Sequence, residues 1–296
     1  MLIKVVKILT TYCLGVCAAA RAAIEWHCRE QLSSRPHKLA QKLIVSLTSY
    51  PPRFNHLERT LRCLLNQTLQ ADHVILWIAH GDMDQLPHNV TALTKLGLEI
   101  ESCEDVGPYK KIIPALRKFP DAVIVTADDD LYYRRTWLEE LTESYVPARG
   151  EVVCHRAHRI MVTSEGLLQY YADWKHNTGS NEASQLVFPT SGAGALYAPG
   201  MLHVDVTRAD LFTELAPKSD DVWLFWMAAR NGMVFRKVGP RRLLYPWPGS
   251  QQVGLRHVNF CKDGGNDVVI AKMVKAFGFP PRTADGRSNK VMEYVA

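Results

Sequence analysis

Asp128, Asp129 and Asp130 follow directly on the apolar run Val123-Ile124-Val125-Thr126-Ala127. Carboxylates are hard oxygen donors, and two that project together can share Mg²⁺ or Mn²⁺, with a phosphorylated substrate supplying further oxygens. Side chains at i and i+2 of an extended segment point the same way. That geometry pairs Asp128 with Asp130 around one cation and turns Asp129 elsewhere. The β-branched run reads as a buried strand, so the carboxylates are expected at its mouth. The plainer alternative is that they form a turn or cap the helix that starts near Trp137.

The elements around them alternate. Leu43 to Leu47 reads as a short strand stopped by Thr48-Ser49-Tyr50-Pro51-Pro52, and Leu57, Leu61, Leu64 and Leu65 fall at helical spacing. Val74 to Ala79 and Leu98 to Ser102 are further strands, and a short helix from near Lys110 to Phe119 precedes the aspartate-bearing strand. This order predicts an α/β fold with a mostly parallel, doubly wound (Rossmann-like) sheet flanked by helices, whose ligands bind beyond the carboxyl ends of the strands. Tyr50 and Arg53, the loop from Asp105 to Lys111, and the Asp triplet all fall at such ends. Farther on, helices are expected over Trp137 to Tyr145, Arg208 to Leu215 and Val222 to Arg230. Strands are expected at Val152 to His155, after Ser191-Gly192-Ala193-Gly194, and within residues 231–246.

Length and composition set outer bounds. The chain has 296 residues, 47% hydrophobic and 22% charged, enough for one large α/β domain or two small ones. The net charge of +5 is mild, and no basic run looks like a nucleic-acid stripe, so no nucleic-acid partner is expected. Seven cysteines without zinc-like spacing point to reduced thiols and a cytoplasmic setting. Residues 1–38 are expected to form an apolar N-terminal helix and a linker, Ser33 to Lys38, outside the main domain. The uncharged stretch Ile8 to Ala20 is too short for a confident transmembrane span. A signal peptide is an alternative, but the expectation is a helix that packs on the domain or lies on the inner face of the membrane as a peripheral contact.

Taken together, Val45-Ser46-Leu47-Thr48-Ser49-Tyr50-Pro51-Pro52-Arg53, Lys110-Lys111, Asp128-Asp129-Asp130 with Tyr132 or Tyr133, Ser191-Gly192-Ala193-Gly194 with Leu196-Tyr197, and Asp220-Asp221-Val222-Trp223 occur in that order. The set resembles the GT-A class of nucleotide-sugar glycosyltransferases, in particular a bacterial group associated with surface-polysaccharide synthesis. The resemblance runs from about Leu43 to Phe277. It implies a single GT-A domain over residues 39–296, with a nucleotide-binding half at about 43–135 and an acceptor half at about 136–280. The third aspartate departs from the family's Asp-x-Asp pattern and blurs the register of the metal ligands. No motif here fixes the donor sugar.

The resemblance implies a Mn²⁺- or Mg²⁺-dependent transfer from a nucleoside diphosphate sugar, most simply a UDP-sugar, to a hydroxyl of a glycan or glycolipid. Asp130 would be the direct metal ligand, Asp128 a ligand or ribose contact, and Asp129 a supporting or sugar contact. His257, in the polar loop Gln251 to Lys262, would be a further ligand. Asp220 and Asp221, with Ser219 as N-cap, would lie in the first turn of a helix whose dipole keeps them ionised, and one would act as base. Neighbours on a helix diverge by ~100°, so spacing leaves the choice open; Asp221 is favoured. A base opposite the leaving group would invert the anomeric centre. Thr48, Tyr50 and Arg53 would cradle the nucleoside, Lys110 or Lys111 would meet its phosphates, and Gly192 and Gly194 would allow close backbone approach. Tyr171 and Trp174 would offer an acceptor platform or pack in the core. A nucleotidyltransferase-like enzyme and a non-catalytic carbohydrate-binding protein are the competing classes.

Overall fold

Strand formation in this chain follows from runs that are apolar on both faces. A computed structural model describes residues 2–250 and 265–279, without the side chains of residues 2–9 and Thr11. In chain order it contains α1 (Leu2–His27), β1 (Arg35–Pro36), β2 (Leu43–Thr48), α2 (Phe54–Leu65), β3 (Leu69–Gln70), β4 (His73–Ala79), α3 (His88–Thr91), β5 (Leu98–Cys103), α4 (Ile113–Lys118) and β6 (Val123–Thr126). Then come α5 (Trp137–Ser144), β7 (Glu151–Cys154), β8 (Ala157–Arg159), β9 (Val187–Pro189), β10 (Ala195–Tyr197), α6 (Ala209–Leu215), α7 (Asp220–Arg230), β11 (Val234–Lys237) and α8 (Asn266–Phe277).

Seven strands form one sheet in the order β11-β7-β10-β6-β2-β4-β5. Pairing is parallel except at β10, which runs antiparallel to both β6 and β7. The fold is mixed α/β with a mostly parallel sheet flanked by helices, as expected. Leu43, Val45 and Leu47 of β2 enter the larger core, and Ile44 enters a smaller one with Ile75, Trp77 and Ile124. A strand covered on both faces reads as a continuous apolar run. The inserted β10 matters most for the site. Its Ala195 registers with Thr126 of β6 and with Cys154 of β7, so the glycine turn before it lies at their carboxyl ends, where the Asp triplet emerges.

The N-terminal helix and the segment after it both make contacts with the domain. α1 lies against the domain: Gly15 passes so close to Pro246 that a Cβ there would stand 2.7 Å from its carbonyl oxygen. The Tyr132 hydroxyl donates to the Glu25 carboxylate at 3.1 Å. Among the described residues no helix is long and apolar enough to cross a membrane. The segment expected to be a linker is instead tied down. β1 pairs in parallel with β3, and the Arg35 guanidinium lies 2.6 Å from both Glu139 and Glu143. One strand, β11, forms within residues 231–246.

One buried hydroxyl ties this sheet to the loop behind it. Ser46 donates to the Lys111 carbonyl at 2.6 Å and accepts the Trp77 indole N–H at 2.9 Å. Ser46→Ala leaves both groups buried without that partner, which costs about 1 to 3 kcal/mol. The expected outcome is a lower urea midpoint with an unchanged slope.

Candidate active site

The strand stops before the acidic triplet begins. β6 ends at Thr126 and residues 128–130 follow a bend, so the alternation of an extended chain does not apply to them. Asp128 turns one way, its Oδ1 2.9 Å from the Lys111 ammonium. Asp129 and Asp130 turn toward a single arginine, with Arg53 Nη1 2.6 Å from Asp129 Oδ1 and 3.4 Å from Asp130 Oδ2. Asp129 and Asp130 thus share an arginine, while Asp128 meets a lysine. Asp129 also accepts from the Ser49 hydroxyl at 2.6 Å and is almost fully buried. It is an internal anchor between the end of β2 and the bend.

The backbone of the bend is pinned from two sides. The Thr60 hydroxyl, on the otherwise apolar face of α2, lies 2.9 Å from the Asp129 carbonyl and 3.0 Å from that of Leu131. It accepts the Trp247 indole N–H at 2.7 Å, and the Trp247 backbone N–H donates to the Asp130 carbonyl at 3.0 Å. Tyr133 folds back so that its hydroxyl accepts the Asp128 N–H at 2.7 Å and donates to the Gly192 carbonyl. Thr60 and Trp247 were not among the expected site residues, and Ser49 and Tyr133 fell within the quoted motifs without a role. A polar Thr60 between Leu57, Leu61 and Leu64 was the one local signal.

The two glycines are required by close approach. A Cβ on Gly192 would stand 1.7 Å from Asp128 Oδ2, so any side chain there would displace the carboxylate. Gly194 has φ +112° and its Cβ position falls 2.5 Å from the Trp137 indole nitrogen, a backbone conformation and a space that suit only glycine. Between them, Ser191 faces α7. Its backbone N–H donates to Asp221 Oδ1 at 2.8 Å and its hydroxyl to the same oxygen at 2.5 Å. Behind the turn, the His155 backbone N–H donates to the Gly194 carbonyl at 3.0 Å and its ring Nε2 to the Trp137 carbonyl at 2.8 Å. Burial pushes that imidazole down to about 4, so it is a neutral support.

Lys111 joins the two acidic groups. Its Nζ lies 2.9 Å from Asp128 and 2.9 Å from Asp220 Oδ2, with its side chain only 8% exposed. Burial opposes the charge, but Asp128, Asp220 and Asp221 hold the ammonium well above the ordinary lysine value. Burial and the neighbouring Asp220 push Asp221 up to about 6. The pair is therefore sorted by its partners: Asp220 is committed to Lys111, and Asp221 is held by Ser191 with its other oxygen receiving no hydrogen bond from the described residues. Asp128 keeps the most open carboxylate of the Lys111 network, 37% exposed.

The remaining expected residues are placed differently. Ser219 precedes α7 but caps nothing with its side chain, donating instead to Asn266 Oδ1 at 3.1 Å. Thr48 donates to the Trp77 carbonyl at 2.7 Å, and Lys110 is buried in an ion pair with Asp105, apart from Lys111. Tyr50 is 37% exposed with the Arg53 guanidinium 5.8 Å from its ring centre. Tyr171 and Trp174 are both buried and pack on Phe188, so they belong to the core and form no exposed platform. His257, with Arg256 and Lys262, lies outside the described residues. Among the described residues no three His, Cys, Asp or Glu side chains converge as a metal cage.

No protein-family model matches the sequence, and no curated protein does so. Solved structures with similar folds exist. One is GalNAc-T7 with UDP, GalNAc and Mn²⁺, at 11% identity and TM-score 0.45 over 80% of this chain and 48% of that one. The chain thus spans about half the length of GalNAc-T7. Another is the mannosyltransferase PcManGT from Pyrobaculum calidifontis in complex with GDP-Man and Mn²⁺, at 14% identity and TM-score 0.48, covering 92% of this chain and 77% of that one. S. aureus TarS 1-349 is similar at 15% identity and TM-score 0.44, covering 80% and 72% respectively.

Removing Lys111 leaves two carboxylates facing each other without their common cation. Lys111→Met is expected to destabilise the fold by about 3 kcal/mol, and adding Asp220→Asn is expected to restore part of that loss. Urea unfolding of the two single variants and the double variant measures the coupling. Additive losses would mean that Lys111 does not hold Asp220.

Proposed function

We propose that this chain is a metal-dependent glycosyltransferase of the GT-A class. It would move a sugar from a nucleoside diphosphate sugar, a UDP-sugar first among them, to a hydroxyl of a glycan or glycolipid in bacterial surface-polysaccharide synthesis. The observation that carries the reading is a gathering of carboxylates at the carboxyl ends of the strands. Asp128 and Asp220 meet around Lys111, Asp129 and Asp130 meet around Arg53, and Asp221 lies beside Asp220. Such a cluster suits an added cation, a transferable proton, or both.

The donor set fits a hard divalent ion that takes few protein ligands. Asp128 presents an open carboxylate beside Gly192, and Asp130 follows on the same bend with one oxygen shared with Arg53. Mn²⁺ or Mg²⁺ is commonly held by one or two carboxylates, with substrate phosphates and water completing the shell. His257, outside the described residues, would be a further ligand. Bound there, the ion would supply Lewis-acid neutralisation of the departing diphosphate. Tyr50, exposed beyond the end of β2, would stack on the nucleobase.

Asp221 is the base in this reading. A carboxylate with its pKa near 6 is largely ionised at pH 7 and still basic enough to draw a proton from an acceptor hydroxyl. Ser191 orients it through two hydrogen bonds to one oxygen, leaving the other for the acceptor. Lys111 fixes the spacing between base and metal ligands and adds positive charge where phosphate would lie. Attack from the face opposite the diphosphate inverts the anomeric centre.

Incubation with a panel of sugar nucleotides and Mn²⁺ is expected to release nucleoside diphosphate, and a chelator is expected to stop it. Silence across the panel, with and without glycan acceptors, would sink the reading. Asp130→Ala is expected to abolish the metal-dependent turnover with the fold intact. Asp221→Asn is expected to keep donor binding while transfer falls roughly 10²- to 10⁴-fold. For the unaltered enzyme kcat/KM should rise with pH through about 6, as Asp221 loses its proton, and then level off. An identical rising limb in any residual Asp221→Asn activity would remove Asp221 from the role.

A further inference from the structure

Half of the exposed large apolar side chains of the described residues lie on one helix and the loop packed against it. Tyr12, Val16 and Ile24 of α1 are 57%, 46% and 64% exposed. They line one stripe with Cys13, Cys17, Ala20 and Ala23, all exposed and none charged. The opposite face of α1 is spent on the domain through Gly15, Ala18 and Glu25. A helix that is apolar on its outer face as well as its inner one is normally covered on both. The patch extends beyond the helix. The loop that meets Gly15 through Pro246 also exposes Leu243 and Leu244, at 59% and 40%.

We infer that this surface is a monotopic docking face for an anionic lipid surface, with α1 lying in the interface between bilayer and domain. Charge complementarity chooses the occupant. Lys4 and Lys7 occur before the first acidic residue of the sequence, Glu25, whose partner is Arg21 at 2.8 Å, and exposed Arg241 lies two residues before Leu243. Orientation agrees, because α1 is held on the domain from Gly15 to Glu25 and the exposed stripe runs along the opposite face of that stretch. An interfacial helix buries one apolar face at the headgroup boundary, and basic residues beside it add attraction to anionic lipid.

Sedimentation of the full chain with vesicles tests this. Binding is expected to phosphatidylcholine vesicles containing phosphatidylglycerol, weakened by salt, and not to pure phosphatidylcholine. The double variant V16E/I24E should partition roughly tenfold or more weakly, with unchanged circular dichroism and donor turnover. A second double variant, L243S/L244S, should weaken binding in the same direction. Four results would overturn the proposal: no binding to either vesicle, equal binding to both, variants that bind like the parent, or a lipid-free dimer that V16E/I24E dissociates. Vesicle binding and sugar-nucleotide turnover are separate readouts, so either reading can fail while the other stands.

Discussion

A single buried ammonium governs the arrangement of this site. Lys111 sits between Asp128 and Asp220, which come from opposite halves of the chain, at 2.9 Å from each. In a poorly hydrated pocket an unpaired carboxylate is costly, so the two segments converge only because a cation stands between them. The position of that cation is set in turn by the backbone it springs from. Ser46 holds the Lys111 carbonyl from β2, and the Trp77 indole locks the Ser46 hydroxyl. Space for Asp128 on its other side exists because residue 192 has no side chain. Sheet, lysine and glycine turn are thus three parts of one constraint.

The topology explains why those parts can meet. In an all-parallel sheet the segment between β6 and β7 would enter from the opposite edge. Because β10 runs antiparallel between them, its leading residues Ser191 to Gly194 reach the edge where β6 and β7 end. That turn bridges the triplet to α7: Gly192 receives Asp128, and Ser191 holds Asp221. The two aspartates of α7 acquire different characters from these partners. One is neutralised by Lys111. The other is buried beside that aspartate, and burial and the neighbouring charge raise its proton affinity.

How much of this was legible in the sequence depended on the range of the interaction. β2, β4 and β6 could be read because strands buried on both faces leave continuous apolar runs, and α2 because its leucines recur at helical spacing. The candidate acidic residues were readable as residue types. Their geometry was not, since the alternation argument for Asp128 and Asp130 assumes extended backbone and β6 stops at Thr126. Ser219 has the sequence signature of a cap, but Asn266, packed against α7 from α8, takes its hydroxyl. Lys110 and Lys111 are indistinguishable as neighbours in a sequence. Only the turn at Gly107–Lys111 sends one to Asp105 and the other to the acidic cluster. The role of Thr60 was hinted at by a polar residue on an apolar helix face, but its partners lie on loops with no local pattern.

The packing of α1 adds a consequence for the site itself. Tyr132, two residues beyond the triplet, donates to Glu25 of α1, and its ring meets Trp247 edge-on with centres 6.2 Å apart. Trp247 holds the Asp130 carbonyl, and its neighbour Pro246 abuts Gly15. The helix therefore packs on the same short loop that carries the candidate metal ligands. A chain of close-packed contacts through Tyr132, Trp247 and Pro246 thus joins α1 to the backbone of Asp130.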